Sequence, residues 1–164
     1  MSVAIPYADS GTWWAYVDNG VSDESKELKT LWVEALRRVK ETTTNEKRLM
    51  EALADLEEIF KECSMSNWDG YQAKPLAEAA YKEALKFLEM IPLNLPMPEI
   101  VPEPNGAIGL EWCIGKRLIF AISLSGKETI YYAGLFGADK NYGTVQFLDS
   151  LPSVVLENIR RLYS

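Results

Sequence analysis

Residues 107–135 constrain the fold more tightly than any other part of the chain. Ile108, Leu110, Trp112 and Ile114 alternate with Gly109, Glu111 and Cys113, and Leu118, Phe120, Ile122 and Leu124 alternate with Ile119, Ala121 and Ser123. Side chains on a strand change faces at every residue, so this period predicts strands over 107–113, 117–124 and 129–135 with one large apolar face. The other face, with Gly109, Glu111, Cys113, Ala121 and Ser123, is smaller and mixed. Short connections around Gly115-Lys116 and Ser125-Gly126 make the three strands an antiparallel meander. Neither connection is Asn-Gly or Asp-Gly, so the register stays open at this level.

An apolar sheet face has to be covered, and helices are the usual cover. Leu28, Leu31, Trp32, Ala35, Leu36 and Val39 recur at steps of three and four. Leu49, Leu53, Leu56, Phe60 and Cys63 do the same, after a Thr43…Glu46 pair that resembles a capping box. The spacing therefore predicts a helical hairpin over 22–63, with both stripes buried in the core; a helix-pair dimer interface is the competing use of the same stripes. A further helix is expected over 75–90, with Pro75 in its first turn, and a last one over 151–163. Between them, Pro92, Pro96, Pro98, Pro102 and Pro104 allow a stiff connector and at most an edge strand near Glu99-Ile100-Val101. Residues 137–143 read as a polar loop and 144–147 as a fourth strand.

The fold class expected is α+β: an antiparallel β-meander of three to five strands with helices packed on one face, preceded by the hairpin. With 164 residues the chain is expected to be a single domain, 1–164, able to bury a core. Its first part, 1–21, is an aromatic segment with Trp13, Trp14 and Tyr16. The start of the chain has no basic stretch followed by an apolar one, and no apolar run approaches the length of a membrane span. These features point to a cytoplasmic protein with no membrane partner.

Several chemistries are excluded. The chain has no histidine, which removes imidazole-based nucleophile pairs and imidazole metal sites. Cys63 and Cys113 stand far apart, outside metal-type spacing, and are expected to be two buried free thiols. A net charge of −7 argues against direct nucleic-acid binding, which needs a basic surface. No cofactor is implied.

Three places remain where chemistry could reside. Trp68-Asp69-Gly70-Tyr71 is a tight loop in which two aromatics flank a carboxylate, with Lys74 close behind. Such a set either staples the loop to the core or recognises a polar ligand. Glu111, beside Trp112 in a strand, needs a partner, which Lys116 or Arg117 across the hairpin could supply. Without one it becomes a candidate general base. Of Tyr131 and Tyr132, one must share a face with Glu111.

The stretches Asn67-Trp-Asp-Gly-Tyr-Gln-Ala-Lys-Pro75, Pro102-Glu-Pro-Asn-Gly106 and Gly109-Leu-Glu-Trp112 resemble a family of small uncharacterised bacterial proteins. In that family a Trp-Asp-Gly-Tyr…Lys-Pro loop precedes a β-meander. The likeness covers roughly residues 64–150. It implies a bacterial, cytoplasmic setting and supplies no catalytic residues.

The function expected first is a non-enzymatic protein-binding or regulatory module. It would act through Trp68, Asp69, Tyr71, Lys74, Glu111, Trp112 and Tyr131. The alternatives are a small carboxylate-based hydrolase using Asp69 and Glu111, and an acidic inhibitor or mimic acting on a nucleic-acid-binding protein. Lys26, Lys29, Arg37, Arg38 and Lys40, interspersed among the acids, count against the last.

Overall fold

The computed structural model describes residues 23–164; the aromatic segment with Trp13, Trp14 and Tyr16 lies outside the described residues. The element order is α1 (Asp23–Glu62), α2 (Glu78–Met90), β1 (Glu99–Pro102), β2 (Ile108–Gly115), β3 (Leu118–Leu124), β4 (Thr129–Phe136), β5 (Asp139–Gln146) and α3 (Ser153–Leu162). The protein is α+β, with an antiparallel meander whose strand order is β1-β2-β3-β4-β5. Among the described residues no helix is long and apolar enough to cross a membrane. The chain divides into two compact units, residues 1–41 and 42–164.

The expected reversal inside 22–63 does not occur. Residues 41–44 are helical, and the stretch forms one helix of 40 residues. Thr42, Thr43 and Thr44 are weak helix formers, but each costs a fraction of what proline would, and no Gly or Pro interrupts the run. The helical pair ahead of the meander is α1 with α2, joined through residues 63–77. There Leu76 N–H donates to Cys63 O at 3.0 Å, and the Phe60 and Tyr81 rings lie 4.6 Å apart.

The core of residues 42–164 lies on one face of the sheet. Ile108, Leu110 and Trp112 of β2 pair in register with Leu124, Ile122 and Phe120 of β3, and all six are buried. Ala80, Ala84, Phe87 and Leu88 of α2 and Val155, Ile159 and Leu162 of α3 cover this face, joined by Ala52 and Leu56 of α1. Phe87 stacks edge-on to Phe147 at 5.5 Å, and Trp112 lies 5.8 Å from Phe120. Each such side chain contributes about 1.5–3 kcal/mol by leaving water.

Two strand expectations change. After Cys113 the β2–β3 register shifts, so Ile114 leaves the apolar face and is exposed. A bulge of this kind offsets the side-chain period by one residue. Residues 137–143, expected as a loop, are a short turn and most of β5, which pairs along the whole of β4. Backbone pairing outweighs the polar composition, as an edge strand with one wet face allows. Cys63 is buried and Cys113 exposed, so the pair of buried thiols is not formed.

Candidate functional site

The Trp68 loop is built from its own backbone. Asn67 N–H donates to Ala73 O at 2.7 Å, closing the loop, and Gly70 N–H donates to Asn67 O at 3.1 Å. Asp69 Oδ1 accepts from Tyr71 N–H at 2.7 Å and from Ala73 N–H at 3.0 Å. Asn67 Oδ1 accepts from Gln72 N–H at 2.8 Å. Asn67 and Gln72 hold positive φ angles of 64° and 71°, an arrangement such side-chain acceptors support. The half-buried Trp68 donates its indole N–H to Lys74 O at 2.8 Å.

The loop is also latched to the turn before β2. Lys74 N–H donates to Pro104 O, and Ala77 N–H donates to Gly106 O, each at 2.9 Å. Gly106 has φ +92°, and a Cβ there would lie 2.9 Å from Pro75 O. The two stretches singled out in the sequence, 67–75 and 102–106, are thus the two halves of one latch. Asp69 Oδ1 spends its accepting capacity on this turn. Tyr71, at 89% exposure, and the exposed Lys74 are what the latch presents to water.

Trp112 is not at any surface. Its ring is 1% exposed, and its N–H donates to Pro96 O at 2.9 Å, fixing the proline-rich connector over the core. Strand parity explains this: Trp112 pairs with Phe120 on the covered face, whereas Glu111 pairs with Ala121 on the open one.

The open face carries a row Glu99–Glu111–Ala121–Ala133–Tyr142 and a row Val101–Gly109–Ser123–Tyr131–Thr144. Glu111 and Tyr131 therefore share a face, as the alternation predicts. The expected partnership of Glu111 with Lys116 or Arg117 does not form, because Glu99 of β1 and Ala121 of β3 stand across from it. Two carboxylates side by side on neighbouring strands repel and keep this corner hydrated.

Two hollows open on this side. One, of about 360 Å³, is a shallow apolar trough lined by Ile119, Ala121, Ala133, Leu135 and Tyr142. The other, of about 450 Å³, is polar and lies at the strand ends, among Asn105, Ser123, Ser125, Lys127 and Tyr131. Ser125 Oγ is buried with no hydrogen-bond partner among the described residues. Neither hollow is lined by Asp69 or Glu111. Among the described residues no group of three acids or cysteines could hold a metal ion.

Tyr142, 78% exposed at the rim of the trough, was not among the residues expected from sequence. The available signal was the spacing Asn141-Tyr142-Gly143-Thr144, which a strand assignment for 139–146 would have turned into an outward tyrosine. No family model, curated protein or solved structure matches the chain.

Proposed function

We propose that this protein is a non-enzymatic protein-binding module, in a bacterial cytoplasmic setting, that recognises its partner with the open face of the sheet. The observation that carries this reading is the trough of Ala121 and Ala133, rimmed by the exposed ring of Tyr142, with Tyr131 exposed in the neighbouring row. Small residues let a partner approach the sheet closely. Tyrosines supply large contact area with few rotors to order, the composition favoured at the centre of protein interfaces. The trough is too open to enclose a small substrate, and an enclosing pocket is what small-molecule sites need. Tyr71, its backbone N–H bonded to Asp69 and its ring 89% exposed, offers a second contact point. A carboxylate pair is poorly supported, since Asp69 Oδ1 already accepts two backbone N–H groups.

A photo-crosslinking residue in place of Tyr142, in the full chain expressed in bacterial cells, tests the reading. One discrete protein adduct is expected, and Ala133→Arg should abolish it without lowering the melting temperature. Absence of any discrete adduct at both 142 and 131 overturns the assignment of this face.

A further inference from the structure

The polar hollow at the strand ends is assembled from distant parts of the chain. Ala77 comes from the start of α2 and Asn105 from the turn before β2. Ser123 and Tyr131 come from neighbouring strands, and Ser125 and Lys127 from the β3–β4 turn. One wall is fixed before anything enters. Ala77 N–H donates to Gly106 O at 2.9 Å, Asn105 Oδ1 accepts from Ala107 N–H at 2.8 Å, and Asn105 Nδ2 donates to Glu103 Oε2 at 3.1 Å. The latch between 67–75 and 102–106 thus holds one side of a cavity. At about 450 Å³ the hollow has the size of a small-molecule site.

The chemistry of the lining is one-sided. The hydroxyls of Ser123, Ser125 and Tyr131 and the ammonium of Lys127 can all donate, and no carboxylate lines the hollow. Lys127 makes no ion pair among the described residues. Glu103, the nearby acid, lies over Gly109 with one oxygen taken by Asn105 Nδ2. Glu128 lines a separate hollow, with Glu83. α2 starts here with no side-chain cap at Ala77, so its first-turn N–H groups add partial positive charge. Ser125 Oγ is buried without a partner among the described residues, a state that destabilises a fold. A ligand oxygen ends that deficit once the single rotor of the serine turns toward it. In a chain of net charge −7, a recess of donors around an unpaired lysine selects an anion. We infer that this hollow binds a small organic oxyanion, a carboxylate or a phosphate. Lys127 is its counter-ion, and the Ser123, Ser125 and Tyr131 hydroxyls are its donors. The site stands whether or not the trough takes a protein partner.

Backbone amide NMR of the full chain, at constant ionic strength, tests the site with two probes, inorganic phosphate and acetate. At least one should saturate in the low-millimolar range expected of so small a probe, with shifts confined to 77–79, 105–107 and 123–127. Saturation by phosphate alone assigns the ligand to phosphate esters, and by acetate alone to carboxylates. Saturation by both supports the site for an oxyanion of either kind. Lys127→Met should weaken binding by about 10-fold or more, through loss of a charge-assisted hydrogen bond. Ser125→Ala should weaken it too, yet raise the urea midpoint, because the empty site loses a hydroxyl that has no partner. A lower midpoint in Ser125→Ala would show that the hydroxyl is satisfied inside the fold, and overturns the inference. No saturation by either probe up to ~50 mM overturns it as well. So do equal shifts at the amides of Lys82 and Lys86, or binding indifferent to Lys127 or to Ser125.

Discussion

Glu83 Oε2 accepts a hydrogen bond from the backbone N–H of Gly126 at 2.6 Å, pinning α2 to the turn between β3 and β4. Gly126 sits at φ +76°, and a Cβ there would fall 2.4 Å from that of Ala79. Gly70, at φ +77°, has nothing within 4 Å of the same construction. The two glycines thus share a backbone strain and differ in crowding. Gly70→Ala should cost about 1 kcal/mol. Gly126→Ala should cost about 2–5 kcal/mol, because overpacking adds to the same strain. Denaturant midpoints of the two variants check this; equal losses would show that the close approach at Gly126 relaxes freely.

The Trp68 loop is expected to answer to its hydrogen bonds and not to its charge. Asp69→Asn keeps the Oδ1 acceptor and should change stability by less than about 0.5 kcal/mol. Asp69→Ala strips two backbone N–H groups of their partner and should cost about 1–3 kcal/mol. Trp68→Ala should cost about 3 kcal/mol through lost burial, while Tyr71→Ala should be neutral within about 0.5 kcal/mol. Urea titrations of the four variants give the ranking.

Trp112→Phe should cost about 1–3 kcal/mol, since it leaves the carbonyl of Pro96 without the indole N–H it now accepts from. The same substitution should remove the most blue-shifted component of the tryptophan emission. A variant as stable as wild type would mean that water replaces the indole at Pro96.

The two thiols should react in sequence. Cys113 is exposed and Cys63 buried, so alkylation of the native protein should modify Cys113 alone. Burial, and secondarily Glu62, push the Cys63 thiol above the ordinary thiol range. The unfolded thiol then ionises at lower pH than the folded one. Its stabilising contribution is complete below the ordinary thiol range and is lost as pH rises toward the folded value. Wild-type stability should therefore fall more steeply over that alkaline window than that of Cys63→Ala, as urea midpoints will report. Peptide mass mapping after alkylation at neutral pH checks the order of reaction.

Much of the meander could be read from residues alone. Ile108, Leu110 and Trp112 against Phe120, Ile122 and Leu124 carry the period of two that only strands satisfy, and the covered face followed from it. The candidate site was harder to read, because residue type does not say how a group is spent. Asp69 and Trp112 looked like recognition groups and are structural ones: the first caps two N–H groups, the second lies in the core. Tyr142 looked like loop and stands at the rim of the trough, because pairing with β4 made its segment a strand.

By itself the sequence determined which segments are amphipathic and with what period, because alternation and three–four spacing are properties of local geometry. Tertiary structure decided what lies across each apolar face. The stripe at 49–60 is drawn against the core and the stripe at 28–39 meets water, although their spacing is alike. The difference is physical: periodicity records that a face avoids water, and only the distant residues brought beside it determine whether anything is there to take the water's place.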